Sequence, residues 1–215
     1  MPIPRLVFEA VRASDKTLHF IAYFVLVFLL WFSIAADKKV NWRRAAAWWV
    51  LLVVVWYGVF DEWLQGYVGR DPDIMDFFAD AGGALACLVL LSIFPFWSVS
   101  LIVTGVIIFV LTNPVRPNVV ALLPVSDVII HLFGYGLFSI LWIRGMQQLL
   151  PVRAPQVRWL MWALALPAVF LLVVRLLSAI TGRGFGLLGA IISLAGITVV
   201  VATVFLMALF RRKRA

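Results

Sequence analysis

Phe60-Asp61-Glu62-Trp63-Leu64-Gln65-Gly66-Tyr67-Val68-Gly69-Arg70-Asp71-Pro72-Asp73-Ile74-Met75-Asp76-Phe77-Phe78-Ala79-Asp80-Ala81-Gly82-Gly83 is a polar hinge between two apolar runs. Gly66 to Pro72 carries the Gly and Pro punctuation of a turn. Ala45 to about Leu64 before it, and Asp76 to Phe94 after it, each approach the roughly 20 residues a helix needs to cross a bilayer. The stretch therefore predicts a membrane hairpin with both polar ends on one side. It also holds Asp61, Glu62, Asp71, Asp73, Asp76 and Asp80, out of ten carboxylates in the chain. A charge at mid-bilayer costs about 2.5–3.5 kcal/mol on insertion scales and less near the ends. Acids gathered where two spans meet the membrane boundary therefore mark a candidate functional site.

The rest of the 215-residue chain agrees with a membrane reading. It is 65% hydrophobic and 13% charged, with mean hydropathy +1.08, against about 25% charged in an ordinary soluble domain. The expected class is all-α, a polytopic membrane helix bundle. The net charge of +8 is assigned to topology rather than to nucleic acid. Cys87 is the sole cysteine, which excludes an intrachain disulfide and a cysteine metal site. Met1 to Ser14 is too short and too charged for a signal peptide, so the first span is expected to insert by itself. Ile3 to Ala13 reads as a short interfacial helix. Spans are expected at Leu18–Ala36, Ala45–Leu64, Asp76–Phe94, a short fourth at Trp97–Thr112, then Asp127–Leu150, Arg158–Ser178 and Phe185–Phe210, about seven in all.

Seven spans put the termini on opposite sides. The N-terminal side then carries Arg5, Arg12, Lys16, Arg70, Arg116, Arg175 and Arg183. The other side carries Lys38, Lys39, Arg43, Arg44, Arg144, Arg153, Arg158 and Arg211 to Arg214. The second set is larger, which makes the C-terminus cytoplasmic and the N-terminus external. Among the acids only Asp37 falls on the cytoplasmic side, so the acidic site faces outward. That side is the periplasm or cell exterior.

The chain also repeats itself. Ser14-Asp15-Lys16-Thr17-Leu18-His19-Phe20-Ile21-Ala22-Tyr23 shares Ser, Asp, His and Tyr at one spacing with Ser126-Asp127-Val128-Ile129-Ile130-His131-Leu132-Phe133-Gly134-Tyr135, offset by 112. Gly69-Arg70 and Gly83 recur as Gly182-Arg183 and Gly196, offset by 113. Two parallel repeats are expected, residues 1–96 and 97–215. The second half has Val174 and Arg175 against Asp61 and Glu62, Gly189 against Asp76, and Ser193 against Asp80. The reading is an active first half and a degenerate second.

Three span ends carry polar pairs four residues apart: Asp15 and His19, Asp61 and Gln65 with Glu62 beside them, and Asp76 and Asp80. Residues i and i+4 share a helix face, so all three pairs can converge. Carboxylates with an imidazole suit a divalent cation, with Asp61, Glu62, Asp76 and Asp80 as the metal-ligand candidates. They equally suit general acid–base work by Asp61, Glu62, His19 and Asp76. Arg70, Lys16 and Arg175 would hold a phosphate or carboxylate headgroup, with Gln65, Asp15 and Asp80 supporting. The bland readings make Asp15 and Asp76 helix caps, His19 a satisfied bundle residue, Arg70 with Asp71 and Asp73 a solvated turn, and Asp61–Glu62 an ion pair with Arg175. Their joint convergence favours a site.

These residues resemble the VanZ-like membrane family. Its pattern opens a span with Asp-Lys-x-x-His-Phe, here Asp15-Lys16-Thr17-Leu18-His19-Phe20, followed by Tyr23. It continues with an acidic pair and Gln late in the next span (Asp61, Glu62, Gln65), an Arg in the turn (Arg70), and an Asp opening the next span (Asp76) with Gly83 after it. The family often has Asn where this chain has Asp80. The resemblance covers about residues 14–94 well and 97–205 weakly. It implies a role at the cell envelope, in a bacterial inner membrane, with resistance to teicoplanin-type glycopeptides as the associated phenotype. The expected partner is a membrane lipid or a lipid-linked cell-wall precursor. Whether the protein is an enzyme stays open; the alternatives are a transporter or flippase using the acids as a proton or cation site, and a non-catalytic binding protein.

Overall fold

The computed structural model describes residues 5–35, 38–68, 73–112, 128–150, 153–180 and 186–214, with side chains except at 5–14, 149, 213 and 214. Among these residues the structure is helical and has no strand. The helices are α1 (Arg5–Ala35), α2 (Ala45–Tyr67), α3 (Ile74–Ile93), α4 (Phe96–Thr112), α5 (Tyr135–Leu149), α6 (Val157–Ile180) and α7 (Leu187–Arg214). A π-helical turn, Ile130–Gly134, leads into α5. Five stretches are long and apolar enough to cross a membrane: Asp15–Ala35, Ala45–Tyr67, Ile74–Ile93, Val157–Ile180 and Leu187–Arg212. Their apolar side chains stand largely bare, as with Trp49, Trp56, Leu172 and Ile191. So much apolar surface needs a hydrocarbon surround, and by length and composition these are the helices of a multi-pass membrane protein.

One boundary differs from the sequence expectation. There is no separate N-terminal interfacial helix, because α1 runs unbroken from Arg5 to Ala35. Neither Gly nor Pro occurs between those residues, so the backbone has no cause to stop. The expected fifth span is helical without a break over residues 128–149, with the π turn inside it ahead of α5, and α4, of 17 residues, coincides with the expected short fourth span.

The chain divides into two compact units, one ending at Val99 and the other beginning at Ser100. In the first, α3 packs along both α1 and α2. Its facing side is made of small residues, Gly83, Ala84 and Cys87, all buried, and these let the helix axes approach closely. Phe28 and Phe32 of α1 stack on Phe96, with ring centroids 5.3 and 5.4 Å apart. The loop after α1 is tied to the far end of α3 by Val40 N–H to Leu91 O (3.0 Å) and Lys39 Nζ to Ile93 O (2.7 Å). The lysine also suits the negative end of the helix dipole.

In the second unit the core is built by Tyr135, Phe138 and Met146 of α5, Trp159, Ala163 and Leu171 of α6, and Ile197 and Val201 of α7. Phe138 stacks on Phe170 at 4.5 Å. Pro167 sits inside α6 and is itself buried.

Candidate functional site

The polar residues of the first unit meet near the start of α3, and the helix register explains how. Lys16 Nζ donates to Asp73 Oδ2 at 2.8 Å and to Asp76 Oδ1 at 3.0 Å. One turn further along both helices, His19 Nδ1 lies 3.0 Å from Asp80 Oδ1. The other ring nitrogen, Nε2, faces Asp76 Oδ2 at 4.0 Å. Just beyond, Gly83 lies against the backbone of Phe20, and a Cβ at Gly83 would collide with the Phe20 carbonyl oxygen. The glycine thus sets the close approach that lets His19 reach Asp80.

α2 closes the site from its other end. Gln65 Nε2 donates to Asp61 Oδ2 at 3.1 Å, and Glu62 Oε2 accepts the backbone N–H of Asp73 at 3.1 Å. One turn before Asp61, Gly58 leaves room for α3: a Cβ there would stand 3.5 Å from Asp80 Oδ2 and 3.6 Å from the Tyr23 ring. Asp15, His19 and Asp76 offer one ligand atom each, all within 4.8 Å of one another, and so do His19, Asp61 and Asp80.

Of the site residues expected from the sequence and described in the structure, Asp15, Lys16, His19, Asp61, Glu62, Gln65, Asp76 and Asp80 join this cluster, while Arg175 lies against His131 in the second unit. Arg70, expected to hold a headgroup, lies outside the described residues, as do Asp71, Asp127 and Arg183. The capping readings are corrected. Asp15 lies within α1, not at its start. The cap of α3 is Asp73, which accepts from Met75 N–H at 3.0 Å, while Asp76 stands in the first turn. Asp73 is not a solvated turn residue either, since it is half-buried and carries Lys16. Its place three residues before Asp76 and just after Pro72 is the spacing of a helix cap. Gly58, the other residue that sequence reasoning missed, had only its isolation inside an apolar span to signal a close contact.

The electrostatics of the cluster are lopsided. Six carboxylates, Asp15, Asp61, Glu62, Asp73, Asp76 and Asp80, gather around Lys16 and the imidazole of His19, with Lys16 paired to Asp73 and Asp76. Asp80 is 1% exposed, and its Oδ2 has no hydrogen-bond partner among the described residues; Glu62 Oε1 is likewise buried without one. Carboxylates this close in a low-dielectric setting cannot all stay charged without protons or cations to balance them. The arrangement can therefore hold a cation, or it can give and take protons.

The second unit contains a related but differently charged cluster. His131, on the π turn, has Nδ1 2.9 Å from Ser193 Oγ, and a Cβ at Gly196 would collide with the Leu132 carbonyl oxygen. Arg175 is buried, with Nη2 3.4 Å from His131 Nδ1 and 3.3 Å from Nε2. Being nearly equidistant from both ring nitrogens, the guanidinium lies over the imidazole face. Arg175 is thus engaged inside its own unit, which replaces the expected ion pair with Asp61 and Glu62 as the account of its burial.

No family model, curated protein or solved structure matches this chain.

Proposed function

We propose that this chain is a VanZ-like protein of the bacterial inner membrane, working at the outer face on the headgroup of a phospholipid or a lipid-linked cell-wall precursor. The observation that carries the reading is the convergence of Lys16 and His19 from α1, Asp61, Glu62 and Gln65 from α2, and Asp73, Asp76 and Asp80 from α3 at one end of a membrane-type three-helix unit. Span ends lie at headgroup depth. Asp15, Lys16, His19, Asp61, Glu62, Gln65 and Asp76, which carry the resemblance to the VanZ-like family, are residues of this cluster. In this reading His19 and one of Asp61, Glu62 or Asp76 exchange a proton with the headgroup, and Lys16 and Arg70 attract its negative charge.

The same proposal includes about seven crossing segments, an external N-terminus and a cytoplasmic C-terminus, on the charge counts above. It also includes an internal duplication. Two contacts recur with the sequence offsets 112 and 113: His19–Asp80 with His131–Ser193, and the Phe20–Gly83 approach with Leu132–Gly196. Transport is less well supported than chemistry at the site. The hydroxyls of Ser139, Thr198 and Thr203 bond carbonyls of their own helices at 2.7–2.8 Å and offer no polar path.

The test is a teicoplanin resistance assay in cells expressing each protein at matched membrane level. Asp61→Asn, Glu62→Gln and His19→Ala are expected to lose resistance, while Asp127→Asn keeps it. Full resistance in all four would remove the reading in favour of passive binding.

A further inference from the structure

We propose that the first unit binds one divalent transition-metal ion between His19 Nε2, Asp76 Oδ2 and Asp15, and that Arg175 plugs the matching place in the second unit. The metal site goes beyond the envelope reading and stands whether or not a lipid is the substrate; with the ion bound, His19 and Asp76 are committed to it, and the proton exchange with a headgroup falls to Asp61 or Glu62.

The distances argue for the ion's position. Nε2 and Asp76 Oδ2 are 4.0 Å apart, too far for a hydrogen bond. Two donors of a tetrahedral metal at roughly 2.0–2.2 Å each are about 3.3–3.6 Å apart, so the pair needs to close by only about half an ångström to hold an ion between them. Asp15 supplies a third oxygen within 4.8 Å of both, one helical turn from His19. Lys16 occupies Asp76 Oδ1 and leaves Oδ2 turned to the imidazole.

The far side of the ring is arranged to match. Nδ1 lies 3.0 Å from Asp80 Oδ1, and Asp80 is 1% exposed. A ligating histidine usually gives its other N–H to a carboxylate, which fixes the tautomer and makes the free nitrogen a better ligand. Asp80 is thus a positioning residue. Its second oxygen, buried without a partner, leaves negative charge in the cluster that a dication would offset. A mixed nitrogen and oxygen donor set suits manganese, iron or zinc better than calcium or magnesium.

The second unit supplies an independent comparison. At the 113 offset, Asp73 and Asp76 correspond to Gly186 and Gly189. A Cβ at Gly186 would stand 2.9 Å from Arg175 Nη1, and one at Gly189 would crowd both Arg175 Nη2 and His131 Nε2. The guanidinium therefore fills the volume that two carboxylates occupy beside His19. Arg175 itself corresponds to Glu62. Two acids have become glycines and a third acid has become an arginine that reaches into the space they left. The histidine is kept, with Ser193 in place of Asp80 as its Nδ1 partner, but the oxygen ligands are gone and a cation is built in.

The experiment is Mn2+ titration of the purified, metal-stripped full chain in detergent, followed by electron paramagnetic resonance, with pulsed detection of nitrogen coupling to the bound ion. Wild type is expected to take up about one tight Mn2+ per chain with a nitrogen ligand. His19→Ala and Asp76→Asn should weaken binding at least tenfold and His19→Ala should erase the nitrogen signal. Asp80→Asn should weaken binding about 10- to 100-fold and alter the nitrogen coupling while the elution profile stays that of the folded protein. His131→Ala should leave both stoichiometry and coupling unchanged. No tight Mn2+ on folded wild type, or binding indifferent to His19→Ala and Asp76→Asn, overturns the site. A second tight ion lost in His131→Ala overturns the plug. Resistance that survives in metal-free variants would separate this result from the envelope reading.

Discussion

Asp80 is the residue on which the two units differ most in cost. It stands 1% exposed on an apolar helix, one oxygen on His19 and the other without a partner. Serine holds the corresponding place at 193 and satisfies itself on the Gly189 carbonyl at 2.8 Å. Burying a carboxylate whose second oxygen is unpaired carries a desolvation cost, whereas Asn is the same size, is neutral and keeps an acceptor oxygen for His19 Nδ1–H. In metal-free detergent, Asp80→Asn is therefore expected to unfold at least as late as wild type. With saturating Mn2+ the order reverses. An ion at 100 times its dissociation constant adds about 2.7 kcal/mol to wild type, while a variant that binds about 10- to 100-fold more weakly gains about 0.4–1.4 kcal/mol at the same concentration. Thermal unfolding of both proteins, with and without Mn2+, checks the crossing. A variant less stable than wild type in both conditions would make Asp80 a structural group. The sequence already set Asp80 beside Asp76 at helical spacing. It did not show which imidazole nitrogen each acid would face, because that depends on how far α1 slides along α3.

That slide is fixed by Gly83, and Gly196 makes the matching close approach inside the second unit. Gly83 and Gly196 each lie under a carbonyl oxygen of a neighbouring helix, Phe20 in one case and Leu132 in the other. Gly83→Ala has no flexible side chain to push aside, only backbone, so α1 and α3 must part. Overpacking of this kind costs about 1–3 kcal/mol, and here it should also lengthen the His19–Asp80 contact. Gly145, on α5, has nothing within 4 Å of a Cβ; alanine there should be neutral or stabilise by up to about 1 kcal/mol through helix propensity. Melting temperatures of the two variants in one detergent give the comparison, and equal shifts would refute the close-packing argument. Gly83 was legible as a recurring glycine, yet its reason was not, since no sequence pattern records which carbonyl lies above it. Helix ends were legible where a proline marks them, as at Pro95 between α3 and α4; the cap of α3 was not, because Asp76 carries the same capping chemistry as Asp73 three residues earlier. Ends were also illegible where only charge suggested a break, as in Arg5 to Ser14, which continues as helix because nothing in its backbone forbids it.

At the scale of the whole molecule, hydropathy carried the fold class, because a helix with most of its apolar side chains bare has to be solvated by lipid. Orientation rests on charge alone and is the expectation most open to a direct check. α2 presents its two ends for one. Val68, just past its last turn and next to the acid cluster, is exposed, and so is Lys39, in the loop at the other end of the same unit. Cys87, the chain's sole cysteine, is buried on α3 against its neighbours, so a membrane-impermeant maleimide should find almost no background in wild type. With the acidic end outside, Val68→Cys in intact cells is expected to be labelled at once, while Lys39→Cys is labelled only after the membrane is opened. The basic residues around Lys39, namely Lys38, Arg43 and Arg44, are what should hold that loop in the cytoplasm. The reverse labelling pattern would put the acid cluster on the cytoplasmic side. It would leave the metal site intact as chemistry, but His19, Asp61 and Glu62 would then face the inner leaflet, and a cell-wall precursor displayed outside could no longer be their substrate.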